Sequence, residues 1–186
     1  MKKNYKNRLI ITFIILLCTS NLINAQVPFC PEEAFADVTT ISGNSSNDIV
    51  LLNNKIYSIN PFGSSPTLNE FNIATGVVTI INQPNFKLGE TSLTEYAGNL
   101  YAFGGYTGSS ASALAKKYNL NTNSWESLPN MPVSLIQTSA VTVNNYIYIT
   151  GGTFGTTKQY FLKFDPSTKT YTTLATPIIN RVNSKL

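Results

Sequence analysis

Residues 100–105 read LYAFGG, a short apolar run ending in a glycine pair, and the run Ile147-Tyr148-Ile149-Thr150-Gly151-Gly152 repeats the pattern 47 residues after Gly104. Two aromatic landmarks keep step with it. Tyr118 lies 46 residues before Phe164, and Trp125 lies 46 residues before Tyr171. Three landmarks at one spacing indicate a repeated supersecondary unit that is stable only when stacked on its neighbours. The apolar residues come in short blocks broken by Asn, Gly and Pro, with no helical stripe running from one block to the next. A helical bundle is therefore a poor alternative, and the expected class is all-β with four antiparallel strands per unit.

The first unit spans 48–85, with strands over 49–52 and 55–59 around Asn53-Asn54, a pair suited to a tight hairpin because asparagine tolerates positive φ. Strands over 68–73 and 77–81 complete it. The second unit, 91–132, has strands over 91–96, 100–103, 114–118 and 124–128, with Gly98-Asn99 as its first turn. The third, 133–178, has strands over 139–143, 146–150, 160–164 and 170–174, with Asn144-Asn145 as its first turn. The turn column is thus Asn54, Asn99 and Asn145. A second column, Asn72, Asn119 and Asp165, precedes the last turn of each unit, where an Asx side chain can accept backbone donors; Thr75, Thr122 and Thr168 follow it. Residues 26–47 form a leader with one further short strand over 38–41, and 179–186 open another unit.

The start of the chain has a different character. Lys2, Lys3, Lys6 and Arg8 precede a nine-residue apolar run, LIITFIILL, and then Ile23-Asn24-Ala25, which is the order of an export signal over residues 1–25. Nine residues are too few to cross a bilayer, so no membrane span is expected after cleavage. Of 13 basic residues four lie in this signal, and the remaining nine balance nine acidic ones. The basic character of the whole chain is then a targeting effect, and no nucleic-acid partner is expected. The expected location is secreted, periplasmic or cell-surface. One cysteine, Cys30, remains after the signal, so a disulfide within the chain is not available.

Phe103-Gly104-Gly105, Tyr118, Trp125 and Met131-Pro132 carry a resemblance to the Kelch repeat family of β-propellers. Ile149-Thr150-Gly151-Gly152, Phe164-Asp165-Pro166 and Tyr171 carry it again in the third unit. In the first unit Phe71, Asn72 and Thr75 fit, while Asn60-Pro61 stands in place of the glycines and Val78 in place of the tryptophan. The resemblance implies blades of four antiparallel strands around an axis, here about three of them and an incomplete ring. It also implies structural roles for Gly104, Gly105, Tyr118, Trp125, Gly151, Gly152, Phe164 and Tyr171. The glycines would allow unusual backbone angles and close approach. The rings would fill the contact between blades. Since a closed ring takes about four or more blades, the chain is part of a longer propeller, one of several copies that join, or an open or differently packed array of sheets.

No residue pattern demands catalysis. The chain has no histidine, and the glycine pairs lack the lysine and Ser/Thr of a phosphate cradle. Glu90 and Glu95, five apart, point to opposite faces of an extended strand and are expected in solvent. No catalytic residue, cofactor or metal is assigned. The loops joining second and third strands, with those joining one unit to the next, would emerge on one side, where Phe62, Tyr106, Thr107, Ser109 and Phe154 are candidates for contact with a protein or glycan ligand. The expected function is noncatalytic extracytoplasmic recognition. The alternatives are part of a secreted carbohydrate-active or oxidative enzyme, and a purely structural part of an adhesin or other multidomain secreted protein.

Overall fold

The computed structural model describes residues 48–60, 66–82, 84, 86, 89–153 and 159–175. These form three four-stranded antiparallel sheets, each a simple meander in chain order, with no helix among the described residues. Blade 1 consists of β1 (Ile49–Leu52), β2 (Lys55–Asn60), β3 (Thr67–Asn72) and β4 (Val77–Asn82). Blade 2 consists of β5 (Ser92–Tyr96), β6 (Asn99–Phe103), β7 (Ala115–Asn119) and β8 (Ser124–Ser127). Blade 3 consists of β9 (Ile136–Val143), β10 (Tyr146–Gly152), β11 (Gln159–Asp165) and β12 (Thr170–Thr173).

The sheets share one register. Across the third and fourth strands Phe71 pairs with Val78, Tyr118 with Trp125, and Phe164 with Tyr171. Across the second and third strands Ile56, Leu100 and Ile147 meet those same three rings. The sequence period is therefore one sheet, and each landmark occupies the same ladder position in its sheet. A one-residue slip would turn these side chains to the opposite face.

Turn chemistry explains where the strands stop. Asn53 and Asn54 both take positive φ, 52° and 60°, between β1 and β2. In blade 2 the expected Gly98-Asn99 turn is displaced by one residue. Tyr96 pairs with Asn99, so the turn is Ala97-Gly98, with φ of 49° and 72°, and Asn99 opens β6. The Asn99 side-chain amide donates instead to the Ala97 carbonyl at 2.9 Å, bracing an alanine held in a region that L side chains rarely enter. The Asx column closes the outer turns: Asn72 accepts from the N–H of Ala74 and Thr75, Asn119 from Asn121 and Thr122, and Asp165 from Ser167 and Thr168. The Ser167 hydroxyl, 2.6 Å from Asp165, is the main cause of a carboxyl held below its usual range.

Two apolar clusters join the sheets face to face. Val50, Tyr57, Ile59 and Leu68 of blade 1 pack with Leu93, Leu100, Ala102 and Tyr118 of blade 2. Tyr101, Phe103 and Ala115, on the other side of blade 2, pack with Ile147, Ile149, Leu162 and Phe164 of blade 3. Blade 2 thus buries both faces, as alternation along its strands requires. The leader strand expected over 38–41, the segments 1–25, 26–47 and 179–186, and Cys30 lie outside the described residues.

Candidate functional site

Both blade junctions are aromatic on their outer strands, and the junction of blades 2 and 3 is hydroxyl-rich on its inner ones. Trp125 stands edge-on to Phe86, with centroids 4.9 Å apart, and lies 5.0 Å from Tyr118. The Tyr118 hydroxyl donates to the Asn123 side-chain oxygen. Phe164 is fully buried, 5.6 Å from Phe103 and 4.7 Å from Tyr171, whose hydroxyl reaches across to the Pro129 carbonyl at 3.0 Å. Burial pushes the Tyr101 hydroxyl up to about 12 and raises that of Tyr171 further. Both phenols are therefore neutral packing groups at physiological pH.

On the inner strands Thr138 accepts a hydrogen bond from the Ser92 backbone N–H at 2.9 Å and donates to the Phe103 carbonyl at 2.8 Å. Four residues along the same strand face, the Thr142 hydroxyl donates to the Glu95 carbonyl and lies 3.3 Å from that of Thr94. Sequence reasoning missed this seam, although Glu90-Thr91-Ser92 and Gln137-Thr138-Ser139 keep the 47-residue spacing. Glu90 and Gln137 even share a positive φ, 55° and 52°. Thr138→Val keeps the shape but leaves the fully buried Ser92 N–H without its acceptor. It is expected to cost about 1–3 kcal/mol by urea denaturation, whereas Thr138→Ser retains that acceptor.

The two glycine pairs differ. Gly104 and Gly105 leave the sheet with φ of 64° and 113°, and the Gly105 N–H donates to the Leu135 carbonyl at 2.9 Å. Gly151 and Gly152 do not follow their strand as expected; they belong to β10, paired with Tyr160 and Gln159. What Gly104 and Gly151 share is proximity to Thr138: a Cβ on either would lie 2.6 Å or 2.9 Å from its Cγ2. Close approach is common to both blades, and the left-handed backbone belongs only to the first.

Among the candidate contact residues, Tyr106, Thr107 and Ser109 lie on the connection from β6 to β7. Tyr106 is half-buried and bridges Gly89 and Ala111. Beyond it Thr107, Gly108, Ser109 and Ser110 are exposed, closed by a Thr107 N–H to Ser110 carbonyl bond of 2.9 Å. Ser112 bridges Leu135, and the Met131 N–H donates to Ala113 at 2.8 Å. The connection therefore touches the links on both sides of blade 2, so these segments emerge together. Met131, one of the residues that carry the Kelch resemblance, is buried in the cluster between blades 2 and 3. Phe62 and Phe154 lie outside the described residues. Glu90 and Glu95, expected in solvent, are both half-buried.

Among the described residues no group of three or more His, Cys, Asp or Glu side chains gathers to hold a metal ion. No helix there is long and apolar enough to cross a membrane.

Comparison with known proteins agrees with this geometry. The Kelch motif model matches residues 90–132 and 136–178, the spans of blades 2 and 3. Over 61 residues the chain is 34% identical to the Kelch repeat and BTB domain-containing protein 2 of horsepox virus, and equally to that of cowpox virus strain GRI-90. That alignment takes in 33% of this chain and 11% of either viral protein. The chain is also similar to the solved structure of YjhT, with a TM-score of 0.61 and 20% identity, over 72% of this chain and 52% of that one. Kelch repeats generally mediate protein interactions. With its period, its sheet register and both motif matches in agreement, this chain carries two Kelch repeats folded as β-propeller blades.

Proposed function

We propose that the blades form a noncatalytic recognition module exported from the cytoplasm, binding a protein or a glycan through the loops on the side of Tyr106. The observation that carries this reading is the β6–β7 connection. It presents the hydroxyls of Thr107, Ser109 and Ser110 beside an aromatic side chain, on a base fixed by the Gly89, Leu135 and Met131 backbone bonds. A surface held so from below binds without first ordering a mobile loop. Export is supported by the basic start and apolar run of residues 1–25, and the lack of net charge beyond them argues for recognition by shape and hydrogen bonding.

The test is saturable binding of the purified chain to a cell-envelope fraction and a broad glycan panel. Tyr106→Ala and Phe154→Ala are each expected to weaken binding by roughly 1–2 kcal/mol, about 5–30-fold, with the β-sheet circular dichroism unchanged. Absence of binding to either material removes the reading.

A further inference from the structure

Glu90 and Gln137 share a backbone position that their residue types do not explain. They stand 47 residues apart, each two residues ahead of a serine, Ser92 and Ser139, and both hold left-handed φ values, 55° and 52°. At Asn53, Asn54 and Asn144 the same region is filled by asparagine, whose short side chain suits it. A glutamate or glutamine there is strained, and strain that a fold retains concentrates at functional sites. At Gln137 the cause is a bulge. The pairing of β9 with β10 passes from Ser139 opposite Thr150 to Ile136 opposite Gly152, leaving Gln137 and Thr138 to face Gly151 alone. Bulges of this kind re-aim a side chain and recur next to active sites.

Both residues lie on the side of the β6–β7 connection. Gly89 exchanges backbone hydrogen bonds with Tyr106, at 3.0 Å and 2.6 Å. Thr138, next to Gln137, donates to the Glu90 carbonyl through its N–H at 3.3 Å and its hydroxyl at 3.1 Å. Glu90 and Gln137 are therefore neighbours across the junction of blades 2 and 3, at the end of the first strands nearest Tyr106.

The Glu90 carboxylate differs from those of Glu70 and Glu126. Glu70 accepts from Lys55 at 2.7 Å and from Tyr57 at 3.1 Å, and Glu126 accepts from Lys169 at 2.6 Å. Glu90 Oε2 is shut off from solvent with no donor against it, and among the described residues no lysine pairs with the group. Taking a carboxylate partly out of water costs free energy that a cation or a hydrogen-bond donor offsets. The backbone does not require the charge, because Gln137 fills the same position as a neutral amide. Glu90 is only half-buried, so a cation has access to it, and one that meets either oxygen offsets a charge shared by both.

We propose that Glu90 and Gln137 form a subsite for a basic side chain, lysine or arginine, of a protein partner. The ammonium or guanidinium N–H groups donate to the Glu90 carboxylate and to the Gln137 side-chain oxygen. A protein is the occupant because Kelch repeats generally mediate protein interactions. The proposal rests on the recognition reading for its surface, and it narrows the ligand to one that carries positive charge there.

Amide chemical shifts of the ¹⁵N-labelled 186-residue chain, titrated with N-acetyl-arginine amide and N-acetyl-lysine amide, test it. Saturable shifts are expected at Glu90, Thr91, Thr138 and the Gln137 side-chain amide, with the neutral N-acetyl-citrulline amide giving none. Glu90→Gln is expected to weaken binding of the arginine amide about tenfold, the low end for a hydrogen bond to a charged group. No saturable shift with either cation overturns the proposal, as does an equal response to citrulline amide or an affinity unchanged in Glu90→Gln. Saturation by glucosamine but by neither amino-acid amide overturns it too, since the cation would then belong to a glycan. The comparison of arginine with citrulline decides the question in the unsubstituted chain even if the variant fails to fold. The recognition reading fails separately: arginine amide binding here with no binding to envelope or glycan material would remove that reading and leave this site.

Discussion

Replacing Phe164 by alanine is expected to lower the unfolding free energy by about 3–5 kcal/mol, measured by urea denaturation. The ring is fully buried and meets Phe103 and Tyr101 in the neighbouring sheet, with centroids 5.6 Å and 6.4 Å away, as well as Tyr171 in its own. Its loss opens a cavity between two sheets, each stiffened by its own ladder, so neither can collapse far into the space. Tyr171→Phe is the companion: it keeps the ring contact and removes only the hydrogen bond to Pro129, with an expected cost of about 0.5–1.5 kcal/mol. If Phe164→Ala cost no more than Tyr171→Phe, the ring would not be what joins the blades.

Gly104→Ala is expected to cost about 2–5 kcal/mol. Roughly 1–2 kcal/mol comes from placing an alanine at a φ of 64°, and about 1–3 kcal/mol from overpacking. The new Cβ would meet the Leu135 carbonyl oxygen at 3.0 Å and Met131 Cε at 3.2 Å besides Thr138. The carbonyl is backbone, held by the Gly105 N–H, and cannot swing aside. Gly151→Ala carries only the packing cost, since its φ lies outside the left-handed region; the Ile136 carbonyl oxygen is 3.2 Å from the added Cβ. It is expected to cost about 1–3 kcal/mol. Chemical denaturation of the two variants should therefore rank Gly104→Ala as the more damaging, and the reverse order would contradict the distinction between the two pairs.

What was legible in the sequence was whatever the backbone forces on residue type. Asn53-Asn54 marks a turn needing positive φ, and Asn72, Asn119 and Asp165 mark turns whose N–H groups need an acceptor. The spacing of Tyr118 and Phe164 marks a ladder position that every sheet repeats. Ala97 was not legible, because an alanine gives no sign of a left-handed backbone; the neighbouring Gly98-Asn99 drew the turn one residue too far along. Thr138 was hidden for another reason. Its hydroxyl serves groups 46 and 35 residues away, and a threonine in a strand is otherwise unremarkable. The glycine pairs looked alike because the sequence carries the need for close approach and not the φ at which it is met. Candidate contact residues are the least legible of all, since a loop that closes no ladder can hold almost any polar residue.

The most direct measurement of the central claim is the set of nuclear Overhauser contacts made by the Phe164 ring in the folded chain. Cross-peaks to the rings of Phe103 and Tyr101, 61 and 63 residues earlier in the sequence, are expected alongside those to Tyr171. They would show one repeat wedged against the preceding one by its aromatic side chain. Contacts confined to Ile147, Tyr171 and other members of its own sheet would contradict the account.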